Sequence, residues 1–178
     1  NKLFELSSKI GFILPNTPGK SVGLQTSYRM HSNTLIFGRN NYDALQESLY
    51  LNLIRQTLLN NTNNHVLKYG FSCYLDTYEE NIDIITVSNV DLPDGDNRIS
   101  GEDIRENITL GVFSEYNLKS GESFNLVAGI RSDYYNNTDK FYFLPRLNLK
   151  YNPTDKNVVR LSAGRSFRVS TCFIRWYF

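Results

Sequence analysis

Between Ile108 and Ala163 the sequence changes character at every second residue, and that period confines the chain to extended structure. One parity carries Ile108, Leu110, Val112, Ser114, Tyr116 and Leu118, then Phe124, Leu126, Ala128, Ile130, Ser132 and Tyr134. It continues through Phe141, Phe143, Pro145, Leu147, Leu149 and Tyr151 to Val159, Leu161 and Ala163, and none of these positions is charged. The other parity holds Glu115, Asn117, Asn125, Arg131, Asp133, Arg146, Asn148, Lys150 and Arg160. Successive side chains of a strand point to opposite faces. Such a sheet therefore has one surface suited to an apolar medium and one suited to a wet, polar space.

The first half of the chain alternates in the same way, with Phe4, Leu6, Ile10, Phe12 and Leu14, then Val22, Leu24, Tyr28 and Met30, then Leu49, Leu51 and Leu53, then Leu67, Tyr69, Phe71 and Leu75. The pattern predicts eight strands, at 2–14, 20–31, 43–59, 64–76, 107–119, 122–136, 141–152 and 156–166. Turn-rich links at 15–19, 60–64, 120–121 and 152–155 join them at one edge. Longer connections are expected at the other edge: 32–42, about thirty residues over 77–106, and 136–140. Short turns on one side and long loops on the other are the plan of an antiparallel up-and-down transmembrane β-barrel. The aromatics add to this, with Tyr116 and Tyr151 near the short turns and Tyr134 and Phe141 near a longer connection.

Composition permits that reading without requiring it. The 178 residues contain no run of 18 apolar residues, so a membrane-spanning helix is excluded. A barrel turns only alternate residues to lipid, which accommodates a mean hydropathy of −0.39. Lys+Arg 19 against Asp+Glu 18 argues against nucleic acid as a partner, because such binders carry a basic excess. From the residues alone two alternatives stay open. One is a small self-contained outer-membrane barrel with a structural or adhesion role; the other is a soluble β-sandwich binding module. Two positions strain the barrel: Arg55 falls on the apolar parity beside a turn, where it could snorkel, and Pro145 would have to mark a bulge.

No catalytic constellation is present. His31 and His65 lack partners at ligand spacing, and no nucleophile-elbow, phosphate-loop or H-E-x-x-H motif occurs. The acidic stretch from Asp91 to Ile99, with Asp103, misses the calcium-loop pattern: Leu92 and Asn97 stand where Asp and Gly are needed. It reads as a solvated turn. Cys73 and Cys172 have no metal-type spacing, and Cys73 reads as a small hydrophobe on the apolar face rather than half of a disulfide. No catalytic, metal or cofactor residues are therefore expected. The functional candidates are the lumen-facing charges Glu115, Arg131, Asp133, Arg146, Lys150 and Arg160, read first as a wall pairing internally and with a plug. Cargo contacts are expected in the long loops, including 76–105.

The segments 111–116 (GVFSEY), 126–131 (LVAGIR) with Asp133 and Tyr134, 145–154 (PRLNLKYNPT) and 160–168 (RLSAGRSFR) succeed one another closely. In order and spacing they resemble the barrel region of TonB-dependent outer-membrane receptors, the Bacteroidetes type in particular, and 42–56 resembles earlier strands of the same barrel. The resemblance covers residues 1–168. It implies a partial barrel, about eight strands of one with about 22, enclosing a plug and importing scarce cargo across the outer membrane of a Gram-negative bacterium. That cargo would be a siderophore, haem, cobalamin, a metal or a glycan. The implied partners are outer-membrane lipid, the missing plug and remaining strands, and the energy-coupling protein TonB acting through that plug. The plug and its coupling motif are absent from this sequence, and residues 169–178 form an atypical tail. A processed, truncated or frame-shifted product, inactive by itself, is the expectation. A tail strand ending at Phe178 is a minor reading.

Overall fold

Alternation of this kind produces a single continuous sheet. The computed structural model describes residues 1–15, 17, 19–38, 40–59, 64–85, 98–154 and 156–167, with backbone alone at 84, 85, 98 and 99. The strands are β1 (Lys2–Ile13), β2 (Ser21–Phe37), β3 (Asn40–Leu58), β4 (His65–Ile85), β5 (Arg98–Ser120), β6 (Phe124–Tyr135), β7 (Lys140–Thr154) and β8 (Asn157–Gly164). They lie in the order β1 to β8, every neighbouring pair antiparallel. Among the described residues β1 and β8 do not pair with each other, so the meander is not closed on itself. That removes the self-contained eight-strand barrel as a fold for these residues. Among the described residues no second layer packs on the sheet, which removes the sandwich for them.

Register carries the alternation across the sheet. Leu53, Phe71, Val112, Ser132 and Phe143 form one cross-strand row on the apolar face. Asn52, Ser72, Gly111 and Asp133 form a row on the other. Burial is inverted relative to a water-soluble protein. Val112 is 56% exposed, whereas Ser72 is 1% exposed and Ser48, Asp76, Glu80, Asn107 and Asp133 are also buried. Tyr135 is the only buried hydrophobic residue among those described. The polar side chains shield one another while the apolar ones face outward unpartnered, a far larger exposed patch than soluble monomers carry. Ile108 to Leu118, at about 3.4 Å per residue and tilted by about 45°, would rise about 24 Å, close to the apolar band of about 25 Å on membrane barrels.

Four expectations need correction. The connections over 32–42 and 77–106 are largely strand: β2 and β3 run on to pair Phe37 with Asn40, and β4 and β5 to pair Ile85 with Arg98. The third, 136–140, is a turn of four residues closed by Asn136 and by Asp139 at positive φ. Among the described residues the asymmetry between the two edges is therefore one of strand length; 86–97 lies outside them. Alternation fades there because charge enters the formerly apolar parity at Asp43, Glu47, Glu79, Glu102 and Glu106, so both faces become polar while the backbone ladder continues. Pro145 marks no bulge, and β6–β7 register is unbroken across it. The backbone of Arg165 donates to the Pro145 carbonyl, so the missing N–H points towards β8, just beyond the last β7–β8 ladder pair at Arg146 and Gly164. The irregularity lies instead between Tyr151 and Thr154.

Candidate functional site

The buried polar face is the region of the chain where side chains of different strands converge. Its centre is built around two glycines. Glu115, Gly129 and Arg146 are successive cross-strand neighbours on β5, β6 and β7. Because Gly129 has no side chain, Arg146 lies across β6 and forms an ion pair with Glu115. A β-carbon at Gly129 would sit 2.7 Å from Arg146 Nε. Glu115 also accepts a hydrogen bond from Asn117 (2.9 Å) and faces Lys68 Nζ at 3.8 Å. Gly111 has the same role at the next level outward. Arg131 Nε lies 2.8 Å from the Asp133 carboxylate, and Arg131 Nη2 donates to Ser72 Oγ at 2.8 Å, over the space Gly111 leaves empty.

Further out, beyond the uncharged band, a second network links β3, β4 and β5. Ser48 Oγ donates to Asp76 Oδ1 (2.6 Å), and Gln46 Nε2 donates to both Asp76 (3.1 Å) and the Tyr78 hydroxyl (2.8 Å). Glu80, 3% exposed, is paired with Arg105 and accepts from the Tyr42 hydroxyl at 3.0 Å. Arg105 also reaches Asp103 (3.1 Å) and covers the Tyr78 ring. Burial, then the hydrogen bond to Glu80, pushes the Tyr42 phenol up to about 12. Burial, then Asp76, raises Tyr78 as well. Both are firmly neutral donors at ordinary pH.

Four of the six candidates read from the sequence, Glu115, Arg131, Asp133 and Arg146, therefore meet. With Asn52, Lys68 and Arg165 among others, three of them line a hollow of about 400 Å³ on this face. Lys150 and Arg160 stand apart, directly opposite each other on β7 and β8, both exposed and with no ion pair to a described residue. The outer network escaped the sequence because Tyr42, Tyr78, Glu80 and Arg105 fall in expected connections, although Gln46 and Ser48 lie in the expected strand 43–59. Asp76 and Arg105, expected at the two ends of a cargo loop, are strand residues within it. In the calcium-like stretch, 91–97 lies outside the described residues, and Asp103 faces Arg105. Among the described residues no cluster could hold a metal ion. Arg55 stands on the apolar face three residues before the end of β3, exposed as snorkelling requires. Cys73 is a free thiol on that face, opposite Leu110, and Cys172 lies outside the described residues.

The model of the family described as TonB dependent receptor-like, beta-barrel matches residues 7–171. The chain belongs to the TonB-dependent receptor β-barrel family. Among solved structures, this TonB-dependent receptor barrel chain is similar to the FpvAI–pyocin S2 complex, at a TM-score of 0.66 and 16% identity, over 89% of this chain and 26% of that one. That likeness supports the fold. The ferric enterobactin receptor PfeA of Pseudomonas aeruginosa also matches, at a TM-score of 0.39 and 13% identity, over 94% of this chain and 33% of that one. The chain thus spans between a quarter and a third of the length of these structures. No curated protein matches it.

Proposed function

We propose that this chain is a section of the barrel wall of an outer-membrane receptor that imports a scarce nutrient by active transport. Its exposed band faces lipid, and its polar face lines the interior. The observation that carries this reading is the inverted burial, with Val112 open and Ser72 enclosed within one register block. Lipid is the medium in which that inversion lowers the free energy, at roughly 25 cal/mol per Å² of apolar surface removed from water. Family membership supplies the class of transport. The receptor would be a transporter and not an enzyme.

On this reading Glu115, Arg131, Asp133 and Arg146 hold the wall together internally. Lys150 and Arg160, opposite each other with like charge, are the positions best suited to meet an acidic group of the plug. Cargo, whether a siderophore, haem, cobalamin, a metal complex or a glycan, would meet the outer network. The test is uptake in cells carrying the whole gene product. Loss of growth on the limiting nutrient after deletion, with uptake abolished by collapsing the proton-motive force, is expected. Uptake that persists without that energy source would refute active import.

A further inference from the structure

Past Ile108 the outer half of β5 loses its neighbour on one side. The β5–β6 ladder begins at Thr109 opposite Tyr135, while β5 itself runs outward to Arg98, paired with β4. Which backbone groups this strands follows from parity. Ile108 receives from Asn136 N and donates to Asn136 Oδ1, so even-numbered β5 residues bond towards β6. Lys119 donates to Asn64, so odd-numbered ones bond towards β4. Ser100, Glu102, Ile104 and Glu106 therefore point their N–H and C=O groups at an edge where no described strand lies. Among the described residues one side chain covers this edge, at its inner end, where Asn136 Nδ2 donates to the Glu106 carbonyl at 3.4 Å.

Those four residues also share a face, so the edge has a side-chain code. Glu102, Ile104 and Glu106 alternate acid, apolar, acid, all exposed. Neither carboxylate is engaged by a described residue. A second copy pairing antiparallel about Ile104 would set Glu102 against Glu106, like charge on like, which disfavours self-association. A strand with basic residues either side of an apolar one would place opposite charges directly across both positions.

We propose that the outer half of β5 is a strand-acceptor edge, taking an extended basic–apolar–basic segment of a second protein by β-augmentation. The backbone supplies attachment and the two carboxylates supply selection. The site lies outside the transport interior and does not depend on what the receptor imports.

The test uses the whole gene product in nanodiscs and a fluorescent nine-residue serine/threonine peptide with valine at its centre and lysines two positions to either side. Binding at least tenfold tighter than for the same peptide carrying glutamates is expected. Ile104→Pro should cut binding at least tenfold without unfolding the hairpin, because the N–H it removes makes no bond within the sheet. Glu102→Lys with Glu106→Lys should reverse the preference between the two peptides. No binding of the lysine peptide, equal binding of both, or binding unaffected by Ile104→Pro would each overturn the proposal.

Discussion

Two glycines decide how the charges of the polar face meet. A β-carbon at Gly111 would fall on the Asp133 carboxylate and 2.7 Å from both Arg131 Nη2 and Ser72 Oγ, and Asp133 and Ser72 are themselves buried. Gly111→Ala is expected to destabilise the folded protein by about 1–3 kcal/mol, the cost of leaving buried polar groups without partners. Gly129→Ala should cost less, because Arg146 is half exposed and can swing aside. Thermal unfolding in detergent ranks the two, and equal midpoints would refute the role given to Gly111. Tyr42 offers a pH test. Its phenol is raised from 10.0 to about 12 in the folded state, so its stabilising contribution is complete below pH 10 and is lost as pH climbs towards 12. Ultraviolet titration against Tyr42→Phe should show one phenol ionising late; its ionisation with the ordinary tyrosines would contradict the buried bond to Glu80. The charges at 115, 131, 133 and 146 were legible in the sequence because period two puts them on one face. Their pairing was not, because it depends on which glycine falls opposite which arginine, and that is set by register.

At the scale of elements, the strand count and order were legible where hydrophobic contrast was strong, from Ile108 to Ala163. The outer ends of β2 to β5 were not. Leu35, Ile36 and Phe37 run together without alternation, and the acidic 102–106 stretch reads as loop, yet both lie in regular ladders. Periodicity reports a difference between two environments and falls silent where both faces meet the same one, while backbone hydrogen bonding goes on. The correction has a measurable consequence. In hydrogen exchange, the amides of Asp103 and Arg105, which bond towards β4, are expected to be protected, and those of Glu102 and Ile104 to exchange rapidly. Uniform fast exchange across 100–106 would restore the loop reading.

At the scale of the molecule the governing fact is that, among the described residues, the sheet is open, with two free edges and one uncovered apolar face. The face sets a first expectation. Spin labels at Val112, Leu147 and Leu161 should be reached by a lipid-soluble relaxant and labels at Ser48 and Ser72 should not, whereas tight packing at the former sites would mean that protein covers the band. The edges set a second. Every unpaired N–H and C=O along β1 and β8 would cost several kcal/mol if left in hydrocarbon, and the order β1 to β8 leaves both lines of groups unmatched by the other. A polypeptide of residues 1–178 alone is therefore expected to aggregate or remain unfolded at the membrane instead of inserting as a stable monomer. Co-expression with strands that pair both edges should rescue it. Electrophoretic heat-modifiability reads the outcome. A folded, heat-modifiable monomer of 20.6 kDa would show that β1 and β8 meet after all, and that the sheet curls further than its present register allows.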